Sequence, residues 1–200
     1  MGTLSHERLQ LPPPLKEGRI ALEEALAHRR SVREFRPMEL TPEEIGQLLW
    51  AAQGITHPTE GLRTAPSAGA LYPLEVYVAH RDGIFHYRPQ DHTLVHKGSE
   101  DVRLQLRAAA LEQESVEKAP CVFAITGIEG RTTLKYGRRG IRYGELEAGH
   151  ATQNLLLQAV ALGLAGVPIG AFSDREVARI LKLTEGERPL YLIPVGQPRN

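Results

Sequence analysis

The sequence predicts an α+β fold. Segments with helical period and segments with strand period mix along the chain without a regular βαβ rhythm. Cys121-Val122-Phe123-Ala124-Ile125-Thr126 is a continuous apolar run, the pattern of a central strand buried on both faces. Glu145 to Leu164 reads as a long helix carrying Leu155, Leu156, Leu157, Ala159, Val160 and Leu162. Apolar groups nearly all round it imply burial against the sheet or a second subunit.

The 200 residues fit one domain with a sizeable core. Residues 1–18 are polar, contain Pro12-Pro13-Pro14, and read as an extended N-terminal arm. Residues 19–200 form the domain. Arg19 to His28 places Ala21, Leu22, Ala25 and Leu26 on one helical face. The next helix has a start signal, with Thr41 as N-cap, Pro42 at the first position and Glu44 completing a capping box. Ile45, Leu48, Leu49 and Ala52 follow at helical spacing, and Gly54 ends it. Leu74 to Val78 alternates like a strand, and Asp82-Gly83 turns the chain into a second strand, Ile84 to Tyr87. Residues 101–113 read as a helix. Ser173 with Glu176 opens a short helix through Leu181, and Leu190 to Val195 is the closing strand.

Several function classes recede on composition. With 24 basic and 24 acidic side chains the net charge is zero, which argues against a nucleic-acid partner. No apolar run approaches the roughly 20 residues of a membrane span, and the opening residues lack the apolar core of a secretory signal. A single cysteine, Cys121, allows no internal disulfide and no cysteine cluster for a metal, so a cytoplasmic setting is the expectation. There is no P-loop, no GxGxxG after a strand, no GxSxG elbow and no HExxH. His86, His92 and His96 read as solvated strand histidines, Cys121 as a buried inert thiol, and His150 as a packing histidine.

Three segments bear chemistry. In Arg29-Arg30-Ser31-Val32-Arg33-Glu34-Phe35 an extended chain would project Arg29, Ser31 and Arg33 to one side. Two guanidinium forks and a hydroxyl then suit a phosphate dianion; the alternative is a solvated basic helix end. In Thr64 to Pro73, small residues between prolines let the backbone approach a flat ligand closely; the alternative is an ordinary tight loop. After the long helix, Val167-Pro168-Ile169-Gly170 offers a rigid turn with backbone N–H groups at Ile169 and Gly170.

These segments together resemble the FMN-dependent nitroreductase family, and more closely its SagB-type branch, which includes azoline dehydrogenases acting on ribosomal peptides. The matching words are RRSVREF (29–35), LLWAAQGIT (48–56), RTAPSAGALYPLEVYV (63–78), KYGRRGIRYGELEAGHATQN (135–154), GLAGVPIGAF (163–172) and VGQP (195–198). The resemblance implies a nitroreductase-like fold, a central, mainly antiparallel sheet flanked by helices, in an intertwined homodimer with FMN at the interface. It carries phosphate and ribityl contacts onto Arg29, Ser31 and Arg33, and ring contacts onto Pro66, Ser67, Ala68 and Gly69. The turn Pro168-Ile169-Gly170 would supply a backbone N–H to flavin N5, with Gly170 as the donor. Asn154 and Arg199 join the expected site, Arg199 in place of the cationic tail of many classical nitroreductases. Lys135 and Tyr136 match the pair that handles the proton in azoline dehydrogenases. The function implied is hydride transfer through flavin N5, with NAD(P)H as reductant in a ping-pong cycle and a small molecule as second substrate. The alternatives are an azoline-type dehydrogenase using oxygen, and a flavin-binding subunit without turnover.

Overall fold

The computed structural model describes residues 8–199. In chain order the elements are β1 (Arg8–Gln10), α1 (Leu22–His28), α2 (Pro42–Gln53), β2 (Ile55–His57), β3 (Leu62–Arg63), β4 (Leu74–His80), β5 (Gly83–Arg88) and β6 (Thr93–Gly98). They continue as α3 (Arg103–Ala109), α4 (Glu114–Lys118), β7 (Cys121–Ile128), α5 (Gly130–Tyr136), α6 (Arg139–Ala161), β8 (Ala165–Gly166), α7 (Asp174–Ile180) and β9 (Glu187–Gly196). Seven strands make one sheet in the order β1-β6-β5-β4-β7-β9-β8, every named pair antiparallel. β2 and β3 form a separate hairpin. This is the expected α+β architecture, an antiparallel sheet flanked by helices.

Strand alternation divides the core in two. On β7, Cys121, Phe123 and Ile125 join Leu48, Leu49, Leu155 and Leu156 beneath α2 and α6. Val122 and Ala124 point the other way, with Leu106, Val116 and Val177 of α3, α4 and α7. The apolar run 121–126 is therefore buried on both faces because helices cover both.

α2 follows its sequence signals. The Thr41 Oγ1 accepts the Glu44 N–H at 3.2 Å, and the Glu44 Oε2 accepts the Thr41 N–H at 2.8 Å. The arm is held to the body rather than loose. Residues 1–7 lie outside the described residues, but Arg8–Gln10 add an edge strand to β6, and the Gln47 side chain grips both the N–H and the carbonyl of Leu15.

Three readings are corrected. The helix expected over 101–113 ends at Ala109, because Leu111 and Glu112 take φ of 56° and 61° and reverse the chain into α4. The long helix begins at Arg139, not Glu145, and ends at Ala161. Its buried positions, Gly144, Glu147, Ala148, Ala151, Thr152, Leu155, Leu156 and Ala159, form one stripe, while Leu146, His150 and Gln153 face outward. The helix is amphipathic rather than apolar all round, and His150 is exposed rather than packed. Of His86, His92 and His96, the first two are engaged rather than solvated. His86 Nε2 lies 2.7 Å from Glu75 Oε2, and His92 meets the Tyr87 hydroxyl at 2.9 Å and the Pro12 carbonyl at 3.0 Å. Among the described residues no helix is long and apolar enough to cross a membrane.

Candidate functional site

The small-residue loop is fastened at its root. The Thr64 N–H donates to the Gly54 carbonyl and its hydroxyl to the Trp50 carbonyl. Asn154 Nδ2 donates to the Thr64 carbonyl at 3.3 Å, so this side chain steadies the loop from α6. The Ser67 Oγ accepts the Tyr72 N–H at 2.9 Å and closes the loop on itself. Between them Gly69, Ala70 and Tyr72 have φ of 64°, 53° and 46°. Left-handed backbone at two non-glycine residues is strained, and such strain collects at functional loops.

Lys135 and Tyr136, at the end of α5, close on this loop. A Cβ added to Gly69 would sit 2.6 Å from the Tyr136 hydroxyl and 3.0 Å from Lys135 Nζ. A side chain there would push the ends of Lys135 and Tyr136 aside, and the φ of 64° itself favours glycine. Tyr136 packs edge-on against Tyr143 of α6. Pro66 and Gly69 are exposed, and Ser67 and Ala68 half-buried.

Below the loop lies a group that pattern reading missed. Glu147 is only 2% exposed, and Gln53 is fully buried. Neither carboxylate oxygen of Glu147, nor Gln53 Nε2, has a hydrogen-bond partner among the described residues. Burial pushes the Glu147 carboxyl up to about 7, against the pull of Ser67, Arg63 and Gln53. Ser67 and Gln53 are near enough to oppose the shift, yet neither makes a hydrogen bond of ordinary geometry to the carboxyl. Arg63 Nη1 donates to Gln53 Oε1 at 2.9 Å, and its guanidinium lies over the Tyr72 ring at 4.6 Å. The signal in the sequence was a glutamate four residues before Ala151 and eight before Leu155, on the stripe that becomes buried.

Arg29, Ser31 and Arg33 lie on an extended stretch, as expected. Ser31 bridges Gly166 of β8 in parallel, Phe35 bridges Pro198, and the Arg199 N–H donates to the Glu34 carbonyl at 3.0 Å. The stretch thus runs between β8 and the C-terminal residues. Arg30 turns back onto the carbonyls of Ala27 and Arg29. Among the described residues, no hydrogen bond or ion pair engages the side chains of Arg29, Ser31, Arg33 or Arg199.

In the Pro168-Ile169-Gly170 turn one expectation is corrected. The Ile169 N–H donates to the Leu192 carbonyl at 2.8 Å, and the Leu192 N–H returns the bond at 3.0 Å. The pairing with β9 consumes the Ile169 amide. The exposed Gly170 retains an N–H without a partner among the described residues, beside the Tyr191 ring.

Comparison with known proteins agrees with this geometry. The chain matches the Nitroreductase family over residues 26–197. It is 45% identical over 191 residues to a protein of Methanocaldococcus jannaschii whose name provisionally calls it a nitroreductase, covering 92% of this chain and 94% of that one. It is 26% identical over 158 residues to the microcin B17-processing protein McbC of Escherichia coli, 74% of this chain and 58% of McbC. A crystal structure from Ralstonia eutropha, also provisionally titled a nitroreductase, superimposes with a TM-score of 0.89 at 29% identity, covering all of this chain and 93% of that one. With this family's sequence pattern running over nearly all of the domain, and with its fold, the chain belongs to the nitroreductase family.

Proposed function

We propose that the chain is an FMN-dependent oxidoreductase acting as a two-fold dimer in the cytoplasm, charged by NAD(P)H and discharged by a small molecule. The observation that carries this reading is the closure of Lys135 and Tyr136 on Gly69, in a strained loop of small residues.

The residues present fit FMN. The guanidinium groups of Arg29, Arg33 and Arg199, unpartnered among the described residues, suit with the Ser31 hydroxyl a phosphate dianion and the ribityl chain. Pro66, Ser67, Ala68 and Gly69 offer a low surface for a planar ring. The Gly170 N–H is a spare donor for a ring nitrogen, and Pro168 and the Ile169–Leu192 pairing fix its direction. When bound, FMN supplies hydride acceptance and donation at N5. The protein's own part is to orient and to manage protons. Lys135 Nζ and the Tyr136 hydroxyl are the two proton-handling groups at the loop, and Asn154 keeps that loop in place through Thr64.

The Lys135–Tyr136 pair, with the likeness to McbC, favours a second reading within the SagB-type branch. There the enzyme oxidises an azoline-like ring, Lys135 takes the proton from carbon, and oxygen is the final acceptor.

Titration of the purified protein with FMN, followed by anaerobic addition of NADH and of NADPH, tests the proposal. The expected result is a yellow protein bleached by one nicotinamide. A protein that takes up no FMN overturns it. Bound flavin that neither nicotinamide bleaches, but that a thiazoline substrate does, selects the second reading. In that case Lys135→Ala retains FMN and loses substrate oxidation. A flavin reduced by none of them identifies a subunit without turnover.

A further inference from the structure

Beside the Gly69 loop lies a concavity of about 270 Å³ whose chemistry the flavin reading leaves unused. Arg63, Arg88 and Arg131 line it, together with Tyr72, Glu75 and Gln90. Three guanidinium groups face one carboxylate, so the pocket carries a surplus of two positive charges. That carboxylate is already committed. Glu75 contacts His86 Nε2 at 2.7 Å and accepts Arg131 Nη2 at 2.5 Å. Burial would raise its pKa, but His86 and Arg131 outweigh that and hold it below the usual carboxylate range. For Arg63 the balance is the reverse. Burial lowers its pKa, and the attractions of Glu75 and Glu147 do not compensate. The side chain of Arg88, exposed at the end of β5, has no hydrogen bond or ion pair among the described residues.

The pocket is built rather than a chance gathering of surface cations. Tyr72 is its frame: the Arg63 guanidinium stacks on the ring, the Arg63 N–H donates to the hydroxyl at 3.2 Å, and Arg131 Nη1 donates to the Tyr72 carbonyl at 3.0 Å. Its position joins it to the proposed site. Tyr72 follows Gly69 by three residues. Arg131 precedes Lys135 by four on α5, which puts both on one helical face with Cβ atoms about 6 Å apart. A group held by the three arginines would therefore lie beside the loop that Lys135 contacts. Uncompensated positive charge in a concave site both draws in an anion and holds it through bidentate hydrogen bonds.

Resting on the oxidoreductase reading, we infer that the Arg63–Arg88–Arg131 pocket is the anion subsite for the molecule that exchanges hydride at this site, and that it takes a carboxylate or a phosphate monoester. The volume admits an acidic group with the few atoms next to it, below the ~300 Å³ at which pockets for whole drug-sized ligands begin. Two sources share this chemistry: the 2′-phosphate of NADPH, and an acidic group on the second substrate.

Calorimetric titration of the full chain, with and without FMN, against benzoate and its neutral isostere benzamide tests the subsite. Benzoate is expected to bind about tenfold more tightly than benzamide, and more weakly at 0.5 M than at 0.05 M salt. Arg88→Ala should abolish that preference, and Arg88→Lys should retain part of it, with FMN uptake and melting temperature unchanged in both. Equal affinity for the two probes, or an unchanged preference in Arg88→Ala, overturns the inference. The calorimetric arm reads the pocket even if no flavin binds, which separates this failure from failure of the flavin reading. Steady-state kinetics then name the source. A KM rise in Arg88→Ala for NADPH but not NADH assigns the 2′-phosphate. Lost benzoate preference with both nicotinamides unaltered assigns an acidic substrate.

Discussion

Glu147 shows what one residue contributes that its neighbours in the sequence do not announce. Its carboxyl is buried beneath the Ser67 loop without a hydrogen-bond partner among the described residues, and burial pushes it up to about 7 from an ordinary 4.5. Between those values the unfolded chain has lost this proton while the folded one keeps it. Stability from this group is therefore greatest below about pH 4.5, falls as pH rises, and is fully lost above about pH 7, by about 3 kcal/mol in all. Glu147→Gln removes the titration and keeps the shape. Urea unfolding at pH 5 and pH 8 should show the wild-type protein losing more stability than the variant across that interval. Parallel losses would show that the carboxyl titrates normally. The sequence concealed this residue because its burial is set by the stripe α6 turns inward, and that stripe depends on where the helix starts.

At the scale of elements, the join between α5 and α6 shows contacts from outside a segment setting its conformation. The Arg- and Gly-rich stretch 127–143 has little helical patterning, yet it holds α5 and the first turn of α6, separated by Gly137 at φ 55°. The two helices meet at Gly140, where an added Cβ would lie 2.6 Å from the Thr132 carbonyl carbon. Thr132 Oγ1 also donates to the Gly140 carbonyl at 3.1 Å. Propensity alone says that alanine at Gly140 stabilises α6 by about 1 kcal/mol. Packing against rigid backbone says the opposite, about 1–3 kcal/mol of destabilisation, because the helices must separate. We expect packing to prevail, with weaker FMN uptake as Lys135 and Tyr136 shift. Gly149→Ala, where nothing lies within 4 Å, is the control and should stabilise. Chemical denaturation of both variants checks the two signs.

At the scale of the whole molecule, the proposed dimer can be tested on the surface. On α1, Leu22 is 60% exposed and Leu26 51%, although their spacing is that of a core-facing stripe. Leu134 is 92% exposed one residue from Lys135, and Leu146 lies open on the outer face of α6. In the proposed two-fold dimer, the commonest symmetry of homo-oligomers, these side chains are the ones a second copy would cover. Light scattering should give twice the 22.1 kDa chain mass, and Leu22→Glu with Leu26→Glu should yield monomers that bind FMN weakly. A wild-type monomer with full FMN affinity would refute the dimeric site. The amino-acid sequence by itself determined the α+β class, the capped start of α2, the central strand β7 and the segments on which the proposed cofactor site rests. Each of these depends on local signals: a cap, a continuous apolar run, a run of small residues. Only the tertiary structure decided that the Ile169 amide is spent on β9, that Glu147 is buried without a partner, and that three arginines from β3, β5 and α5 share one pocket with Tyr72. Those facts are distances between residues far apart in the chain, and the free energy of a buried charge or a satisfied amide depends on such neighbours rather than on sequence order.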